Sequence, residues 1–400
     1  MANRKPLSVA HRTCIFDSAR LFFAGSIDSV LLSVCLLIAI RLFHAPVAAK
    51  GLLSSLVWFG GLTAPFIVRV AAASGWRASR FGALLFLFTA AAFAAAACAR
   101  SIGPYIICIA LAGVFYRADA AIMAKVYAEN YGHGRMASLM APGLILAALM
   151  TVAFGQFSGV AMDRSIGNSG SILVATAICG VICAVAAMAI PSHPIRGADG
   201  VVKESYMKYF FRNRALTKMA IYLTAVGLAY QMLIPMRVEH LTNCVHGWNL
   251  SNFHVLLLSL AVPNFARLLS TPLLAFMFDH MRLIPVRQLT NIVFLGGILF
   301  YFNGNSFTAI AIGGALLGVA MAGSFVMHSL WLTKVVPPQD LPKCMSVYLM
   351  LTGLRSIIAP LASYALLAIG SPRTAAYGAT LLLIFAIIGF WTLRRDPAIR

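Results

Sequence analysis

Long apolar runs, separated by short polar segments, follow one another along almost the whole chain of 400 residues. A helix needs roughly 20 apolar residues to cross the hydrocarbon core of a bilayer, and many of the runs reach that length. Strands of a membrane barrel would be shorter and would alternate in polarity, so these runs predict helices. The pattern therefore predicts an all-α polytopic membrane protein with about twelve transmembrane helices.

Charged residues, Pro and Gly mark the ends of the runs. The predicted helices are 21–43, 52–72, 79–99, 103–128, 136–160, 169–190, 216–236, 253–277, 286–303, 307–332, 345–368 and 373–393. The longest polar stretch divides them into two sets of six. This organisation predicts an N-terminal six-helix bundle at 1–191, a cytoplasmic linker at 192–218 and a C-terminal six-helix bundle at 219–400.

The two halves carry a weak internal repeat. Pro65 precedes Arg80 by the same distance as Pro272 precedes Arg287, so the offset is 207 residues, close to half the chain. Parallel six-helix repeats are one architecture of secondary transporters. The repeat therefore predicts two pseudo-symmetric bundles.

Composition and charge narrow the class of protein further. Hydrophobic residues make up 61% of the chain and charged residues only 10%, unlike a soluble domain. The net charge of +20 could indicate nucleic-acid binding, but the basic residues form no stripe and no stacking motif accompanies them. We expect a small solute and the lipid bilayer as partners, no nucleic acid, and a monomer.

The basic residues instead indicate the orientation in the membrane. Of the 31 Lys and Arg residues, 22 fall in the tails and loops on the side of the N-terminus and 6 on the other side. The positive-inside rule then predicts a multi-pass protein of the cytoplasmic (inner) membrane with both termini in the cytoplasm. Cys98 falls in an apolar run, and Cys244 is predicted to be the one cysteine exposed on the outer face.

Several loop motifs resemble those of the major facilitator superfamily. The segment "RVAAASGWRASR" after the second predicted helix resembles the family signature but lacks its acidic residue, and "FMFDHMRLIPVR" is its counterpart in the second half. The segment "ENYGHGRMAS" before the fifth helix resembles the family's Arg-Gly-Arg turn. The resemblance implies cytoplasmic gating roles for the charged residues of these motifs, Arg77, Arg80, Arg135, Asp279, Arg282 and Arg287.

Charged residues inside the predicted helices are candidates for function, because one near a helix centre costs roughly 2.5–3.5 kcal/mol on insertion scales. The candidates are Asp28, Arg117, Asp119, Arg267 and Arg355. The third, sixth, ninth and twelfth predicted helices contain no charge in their interiors. The resemblance implies that those four helices face lipid and that the others surround a central cavity, so the distribution of charge agrees with it.

The roles of these charges follow from their chemistry. Arg267 and Arg355 could bind an anionic substrate through their guanidinium groups, or each could be neutralised by helix carbonyls or a nearby acid. Arg117 and Asp119 lie about 200° apart around one helix, so they cannot both point into one cavity. We predict substrate contact for Arg117 and proton coupling for Asp28 and Asp119. For Asp28, a hydrogen bond to a neighbouring serine is the structural alternative.

Further polar and aromatic groups lie on helices of the cavity type. Tyr230, Gln231, His328 and Trp331 are candidate substrate contacts, and simple hydrogen bonding or packing is the alternative for each. No CxxC or other metal-binding motif occurs, so we expect neither a metal nor a cofactor.

Three classes of function were compared: a solute carrier, a membrane-embedded lipid-modifying enzyme and a non-transporting membrane sensor. The chain has no HExxH, GxSxG or Walker A motif, and eleven acidic residues leave little for a catalytic site. Its loops and tails are too short for a soluble output or ATPase domain. The sequence therefore predicts a secondary active transporter, and not an enzyme. It would move a small solute by alternating access, with an anion favoured and a proton as the coupling ion.

Overall fold

The computed structural model describes residues 8–131, 136–194, 204–245, 247–336 and 341–394. In these ranges the regular structure is helical, apart from one isolated bridge between Arg77 and Pro194. Arg135 and residues 195–203 of the predicted linker fall outside the described residues, and so does the side chain of His328.

Twelve helices in the described ranges are long and apolar enough to cross a membrane. In chain order, α1 to α12 are Val9–Arg41, Val47–Ser74, Ala78–Ala97, Ile102–Asn130, Met136–Arg164, Ser169–Met188, Arg214–Thr242, Asn252–His280, Leu283–Asn303, Phe307–Leu330, Leu341–Ala368 and Pro372–Leu393. A short linker helix, Glu204–Arg212, precedes α7. The predicted all-α architecture with about twelve transmembrane helices is confirmed.

One helix boundary differs clearly from the prediction. Helix α1 begins at Val9 instead of residue 21, and the Ser8 hydroxyl caps it by accepting a hydrogen bond from the backbone N–H of His11. At 1.5 Å per residue its 33 residues extend about 50 Å, well beyond a hydrocarbon core of about 30 Å. The first turns of α1 are therefore helical without being apolar. Helix α3 ends at Ala97, so Cys98 follows the helix and is exposed, contrary to its predicted place inside a span.

The chain divides into two compact units. The first comprises Met1–Ile38 and Leu56–Gly200, and the second comprises Ala39–Ser55 and Val201–Arg400. In the first unit α1 packs on α5 and α6, α3 packs on α4 and α6, and α2 packs on α4. In the second unit α7 packs on α11 and α12, α9 packs on α10 and α12, and α8 packs on α10. The same pattern of helix pairs thus occurs in both units, as the repeat predicted.

Glycines at equivalent helix pairs allow this close packing. On α1, Gly25 lies directly against the backbone carbonyl of Ala147 on α5, where a methyl group would not fit. On α7, Gly227 lies against the guanidinium group of Arg355 on α11. Small residues are the usual means by which membrane helices approach closely.

The segment Ala39–Ser55 joins the second unit through polar contacts as well as packing. Arg41 donates from Nη2 to the carbonyl oxygen of Leu250 over 2.8 Å. The Ser55 hydroxyl donates to the carbonyl oxygen of Ile357 over 2.9 Å. The end of α1 and the start of α2 are therefore fixed to segments that follow in the chain about 200 and 300 residues later.

Candidate functional site

An accessible ion pair joins α1 and α4 in the first unit. Nη2 of Arg117 lies 3.8 Å from Oδ1 of Asp28, and about a quarter to a third of each side chain is exposed. Of the serines near Asp28, Ser26 does not form the hydrogen bond considered as the alternative, because its hydroxyl donates to the backbone carbonyl of Phe23. Because 3.8 Å is long for an ion pair, the guanidinium group and the carboxylate can each form a contact with another partner.

Aromatic rings hold the guanidinium group of Arg117 in place. Its central carbon lies 4.3 Å from the ring centroid of Trp58 and 5.7 Å from that of Tyr116. The backbones of α2 and α4 approach closely here, because Gly60 on α2 and Gly113 on α4 leave no room for a side chain between them. Cation–π contact stabilises a guanidinium group while leaving its N–H donors available.

A second, fully buried charge cluster lies in the same unit and consists of Asp17, Arg20, Asp119 and Tyr127. Arg20 donates from Nη1 to Oδ2 of Asp119 over 2.6 Å, and from Nε and Nη2 to Oδ1 of Asp17 over 2.9 and 2.7 Å. The Tyr127 hydroxyl donates to the same Asp17 oxygen over 3.0 Å and accepts a bond from Arg20. All three charged side chains are at most 5% exposed. Helix α1 thus meets α4 at a network of three charges.

Arg117 and Asp119 face different neighbours, as their spacing on α4 predicts. Arg117 contacts Asp28 and Trp58, whereas Asp119 contacts Arg20. Asp17 and Arg20 were not predicted as site residues, because the apolar run that predicts the first helix starts after them.

The second unit contains arginines without acidic partners. Arg355 is buried, donates from Nη1 to the carbonyl oxygen of Leu223 over 3.1 Å, and lies 5.7 Å from the Tyr348 ring centroid. Arg267 is half-buried on α8. Arg237 and Arg287 are buried as well, and none of the four forms an ion pair with any side chain that the structure describes.

The remaining predicted substrate contacts that the structure describes lie on α7 and directly after the end of α10, in the second unit. Gln231 donates from Nε2 to the Ser356 hydroxyl over 3.2 Å, one residue from Arg355 on α11. Tyr230 is half-buried with its ring 6.2 Å from that of Phe294. Trp331 is fully buried with its ring edge-on to Tyr348 at 5.4 Å. Gln231 thus bonds to Ser356, the residue next to Arg355, and Trp331 contacts Tyr348, whose ring lies near the Arg355 guanidinium group.

The predicted gating residues occupy two environments. Arg77, Arg80, Asp279 and Arg282 are exposed at helix ends, whereas Arg287 is buried and donates to the Ser324 hydroxyl over 3.4 Å. The loop that carries Arg77 pairs with the chain after α6, where the amide of Ala78 donates to the carbonyl oxygen of His193 over 3.1 Å. Lys125 of α4 donates to the carbonyl oxygen of Pro194 in the same segment.

A buried ion pair in the second unit was also missed by the sequence analysis. Nζ of Lys50 lies 2.8 Å from Oε1 of Glu239 on α7, and the Tyr364 hydroxyl donates to that oxygen over 3.0 Å. Both charged residues are at the ends of apolar runs, where charge is expected in a loop. The sequence offered no signal that they meet.

Comparison with known proteins finds a family model that matches part of the chain. The model of the Major Facilitator Superfamily matches residues 246–400. No curated protein matches the sequence significantly.

Solved structures of transporters match the fold over nearly the whole chain. A structure of the nucleoside transporter NupG with a point substitution has a TM-score of 0.77 at 12% identity, covering 97% of this chain and 100% of the other. A bacterial homolog of the human lysosomal transporter Spinster has a TM-score of 0.68 at 15% identity, covering 97% and 96%. The D-xylose–proton symporter has a TM-score of 0.68 at 12% identity, covering 96% and 98%.

These matches agree with the twelve helices, the repeated helix pairs and the transporter-like loop motifs. The resemblance to the major facilitator superfamily is confirmed for residues 246–400, which match its family model, and the chain as a whole matches the fold of the solved transporters named above.

Proposed function

We propose that this chain is a proton-coupled secondary transporter that moves a small anion across the cytoplasmic membrane by alternating access. The fold supports secondary transport, because proteins of the same fold include a nucleoside transporter and a D-xylose–proton symporter. The proposed solute class and coupling ion rest on the charged side chains within the helices. The proposed orientation, with both termini in the cytoplasm, rests on the basic loops.

The observation that carries the anion proposal is the excess of arginine in the second unit. Arg237, Arg267, Arg287 and Arg355 lie within its helices and form no ion pair with a described side chain. A guanidinium group inside a membrane protein needs a balancing charge from another residue, a lipid headgroup or a bound anion.

Acids available to balance these arginines are scarce. Of the side chains that the structure describes in the second unit, the acids are Glu239 and Asp279. Glu239 is engaged by Lys50, and Asp279 is exposed at the end of α8. In the first unit, by contrast, Arg20 and Arg117 each have a carboxylate partner. A solute that carries negative charge would complement the second unit.

Arg267 and Arg355 remain the proposed anion contacts. Arg355 uses one N–H on a helix carbonyl, and its Nε has no partner among the described residues. Tyr230, Gln231, His328 and Trp331 are proposed as further contacts to the solute. The planar fork of Arg fits carboxylate and phosphate oxygens in a bidentate manner, which Lys cannot reproduce.

Proton coupling and gating are assigned to residues that can change partners. Asp28 and Asp119 are the proposed proton-coupling acids, each next to an arginine. Arg77, Arg80, Arg135, Asp279, Arg282 and Arg287 are the proposed cytoplasmic gating residues.

Ligand-dependent thermal unfolding of the purified protein tests the anion proposal. The probes are phosphate, sulfate, monocarboxylates and dicarboxylates at matched ionic strength, compared with uncharged sugars and nucleosides. We expect one class of anion to raise the melting temperature. Arg267→Gln and Arg355→Gln should weaken that binding by about tenfold or more, as expected for loss of a charged hydrogen bond.

Arg164→Gln, which removes an exposed arginine, is the matched control and should leave the binding unchanged. Uptake of the stabilising anion into proteoliposomes, driven by an imposed pH gradient, separates a carrier from a lipid-modifying enzyme or a sensor. Stabilisation by neutral solutes alone, or full affinity in both Gln variants, would refute the anion proposal.

A further inference from the structure

We propose that Asp119 is the proton-binding group of this transporter, and that Asp17 and Arg20 on α1 are positioning residues that keep it ready to bind one proton. This inference rests on the proton-coupled transport proposed above. It selects one of the two candidate acids and adds residues that the sequence did not indicate. It depends on the charge balance, hydrogen bonds and packing of the buried cluster.

The charges of the cluster do not balance when both of its acids are ionised. Two carboxylates, Asp17 and Asp119, share one guanidinium group, Arg20, and all three are almost completely buried. If both acids were ionised, the cluster would carry one unbalanced negative charge away from water. Burial of an unpaired charge is far more unfavourable than burial of a neutral carboxyl group. One bound proton makes the cluster neutral.

Asp17 and Asp119 accept unequal numbers of hydrogen bonds in the cluster. Oδ1 of Asp17 accepts three bonds, two from Arg20 and one from Tyr127, which stabilise its negative charge. Asp119 accepts one bond, on Oδ2. Its Oδ1 is buried and has no hydrogen-bond partner among the described residues. A proton on Oδ1 of Asp119 therefore disturbs no existing bond, whereas a proton on Asp17 would remove the negative charge that three bonds stabilise.

The helix packing around Oδ1 of Asp119 also favours a proton on this oxygen. Gly82 on α3 faces Oδ1 of Asp119, and a methyl group built on Gly82 would lie 2.8 Å from that oxygen. The absence of a side chain leaves space for a hydrogen atom on Oδ1. Phe86, one turn further along α3, lies 5.6 Å from the central guanidinium carbon of Arg20 and shields the cluster.

Titratable and charged groups reach Asp119 from two of the helices around it and from its own. Helix α1 contributes Asp17 and Arg20, α4 itself contributes Tyr127, and α6 contributes Cys183, whose thiol donates to the backbone carbonyl of Arg20. On α2 and α3, Arg69 and Arg80 are exposed, and Lys50 at the start of α2 is paired with Glu239 in the second unit. Among the described residues, Arg20 is thus the one cation that balances the two acids.

The proposed step is the reversible formation of one O–H bond. A proton from the aqueous phase binds to Oδ1 of Asp119, and the ion pair with Arg20 becomes a hydrogen bond from Nη1 to the neutral carboxyl group. Release of that proton restores the ion pair and the excess negative charge. The contact between α1 and α4 therefore differs in strength between the two states.

Infrared titration of the purified protein tests the inference without any knowledge of the solute. At neutral pH the wild-type protein should show the C=O stretching band of a protonated buried carboxyl group, which disappears at alkaline pH. Asp119→Asn should abolish the band. Asp17→Asn should also abolish it at neutral pH, because Asp119 and Arg20 then balance each other. A purely structural role for Asp17 would not remove a band that belongs to another residue.

Asp28→Asn is the matched control and should keep the band, because Asp28 is partly exposed and has its own arginine. Gly82→Ala, at the contact of α3 with α4, retains every charge but should shift the band, whereas Gly180→Ala, at the contact of α6 with α3, should not. Absence of the band in the wild-type protein, its survival in Asp119→Asn, or its persistence in Asp17→Asn would overturn the inference. Transport of an anion would remain possible in each of those cases.

Discussion

At the scale of single residues, the position of a charged side chain depends on the size of the residue that it packs against. Gly227 on α7 provides the surface on which the Arg355 guanidinium group lies, and this contact directs Nη1 toward the carbonyl oxygen of Leu223. A larger residue on α7 would displace the arginine. The anion proposal therefore depends on a glycine that carries no chemistry itself.

Substitution of this glycine gives a direct prediction. Gly227→Ala places a methyl group against the guanidinium group, and overpacking of this kind costs about 1–3 kcal/mol. Gly296→Ala on α9 meets its nearest neighbour, a methyl carbon of Leu316, at 3.8 Å and gains the higher helix propensity of alanine. Thermal unfolding in detergent should show a lower melting temperature for Gly227→Ala and an equal or higher one for Gly296→Ala. Equal melting temperatures in both variants would contradict the contact.

The sequence predicted those residues of the candidate site whose charge is unusual for their position. Asp28, Arg117 and Asp119 were recognised because charge inside an apolar run is unusual. Asp17 and Arg20 were not, because charges at the edge of a run look like the end of a helix. Their spacing of three residues, which fits an ion pair along one helix face, was the one available signal.

At the scale of helices, the pair formed by Lys50 and Glu239 connects the start of α2 to α7. The Lys50 side chain is 12% exposed and that of Glu239 3% exposed, so removal of one partner leaves the other charge without compensation. Glu239→Gln should therefore destabilise the protein by about 3–5 kcal/mol. The double variant Lys50→Met with Glu239→Gln should recover much of this loss, because no buried charge remains.

A second ion pair in the same protein is the control for this prediction. Lys125 and Glu129 lie 3.4 Å apart on α4, four residues apart, and more than a quarter of each side chain is exposed. Glu129→Gln should change stability by no more than about 0.5 kcal/mol. The experiment measures thermal unfolding of the wild-type protein and of these three variants. A loss in the double variant as large as in Glu239→Gln would show that the charges are not coupled.

Helix boundaries were predicted well because the thickness of the bilayer fixes the length of an apolar run. Eleven of the twelve helices begin within five residues of their predicted starts. Helix α1 is the exception, since its first turns are stabilised by a cap and by buried ion pairs and do not need apolar residues. Contacts between distant segments, such as Lys50 with Glu239, leave no trace in a pattern of hydrophobicity.

At the scale of the whole molecule, the exposed cysteines test the proposed orientation. If both termini are cytoplasmic, Cys98 after α3 and Cys244 after α7 both lie on the outer face. A membrane-impermeant maleimide applied to intact cells should label the wild-type protein and fail on the double variant Cys98→Ser with Cys244→Ser. Because the other described cysteines are buried or partly buried, they should remain unlabelled.

A control for the labelling experiment uses a thiol on the opposite face. Arg394→Cys, introduced into the double variant after the end of α12, should react only when the membrane is permeabilised. Labelling of this thiol in intact cells would place the end of α12 outside and refute the orientation derived from the basic loops.

The inclusion of Ala39–Ser55 in the second unit has a consequence for assembly during synthesis. Lys50 is made 189 residues before its partner Glu239, which corresponds to roughly 10–40 s at about 5–20 residues per second. Throughout that interval the lysine has to remain near water or lipid headgroups. The hairpin between α1 and α2 can reach its final position only after α7 has entered the membrane. Because Ala39–Ser55 is made before the rest of the second unit, this segment has to rearrange late to join that unit.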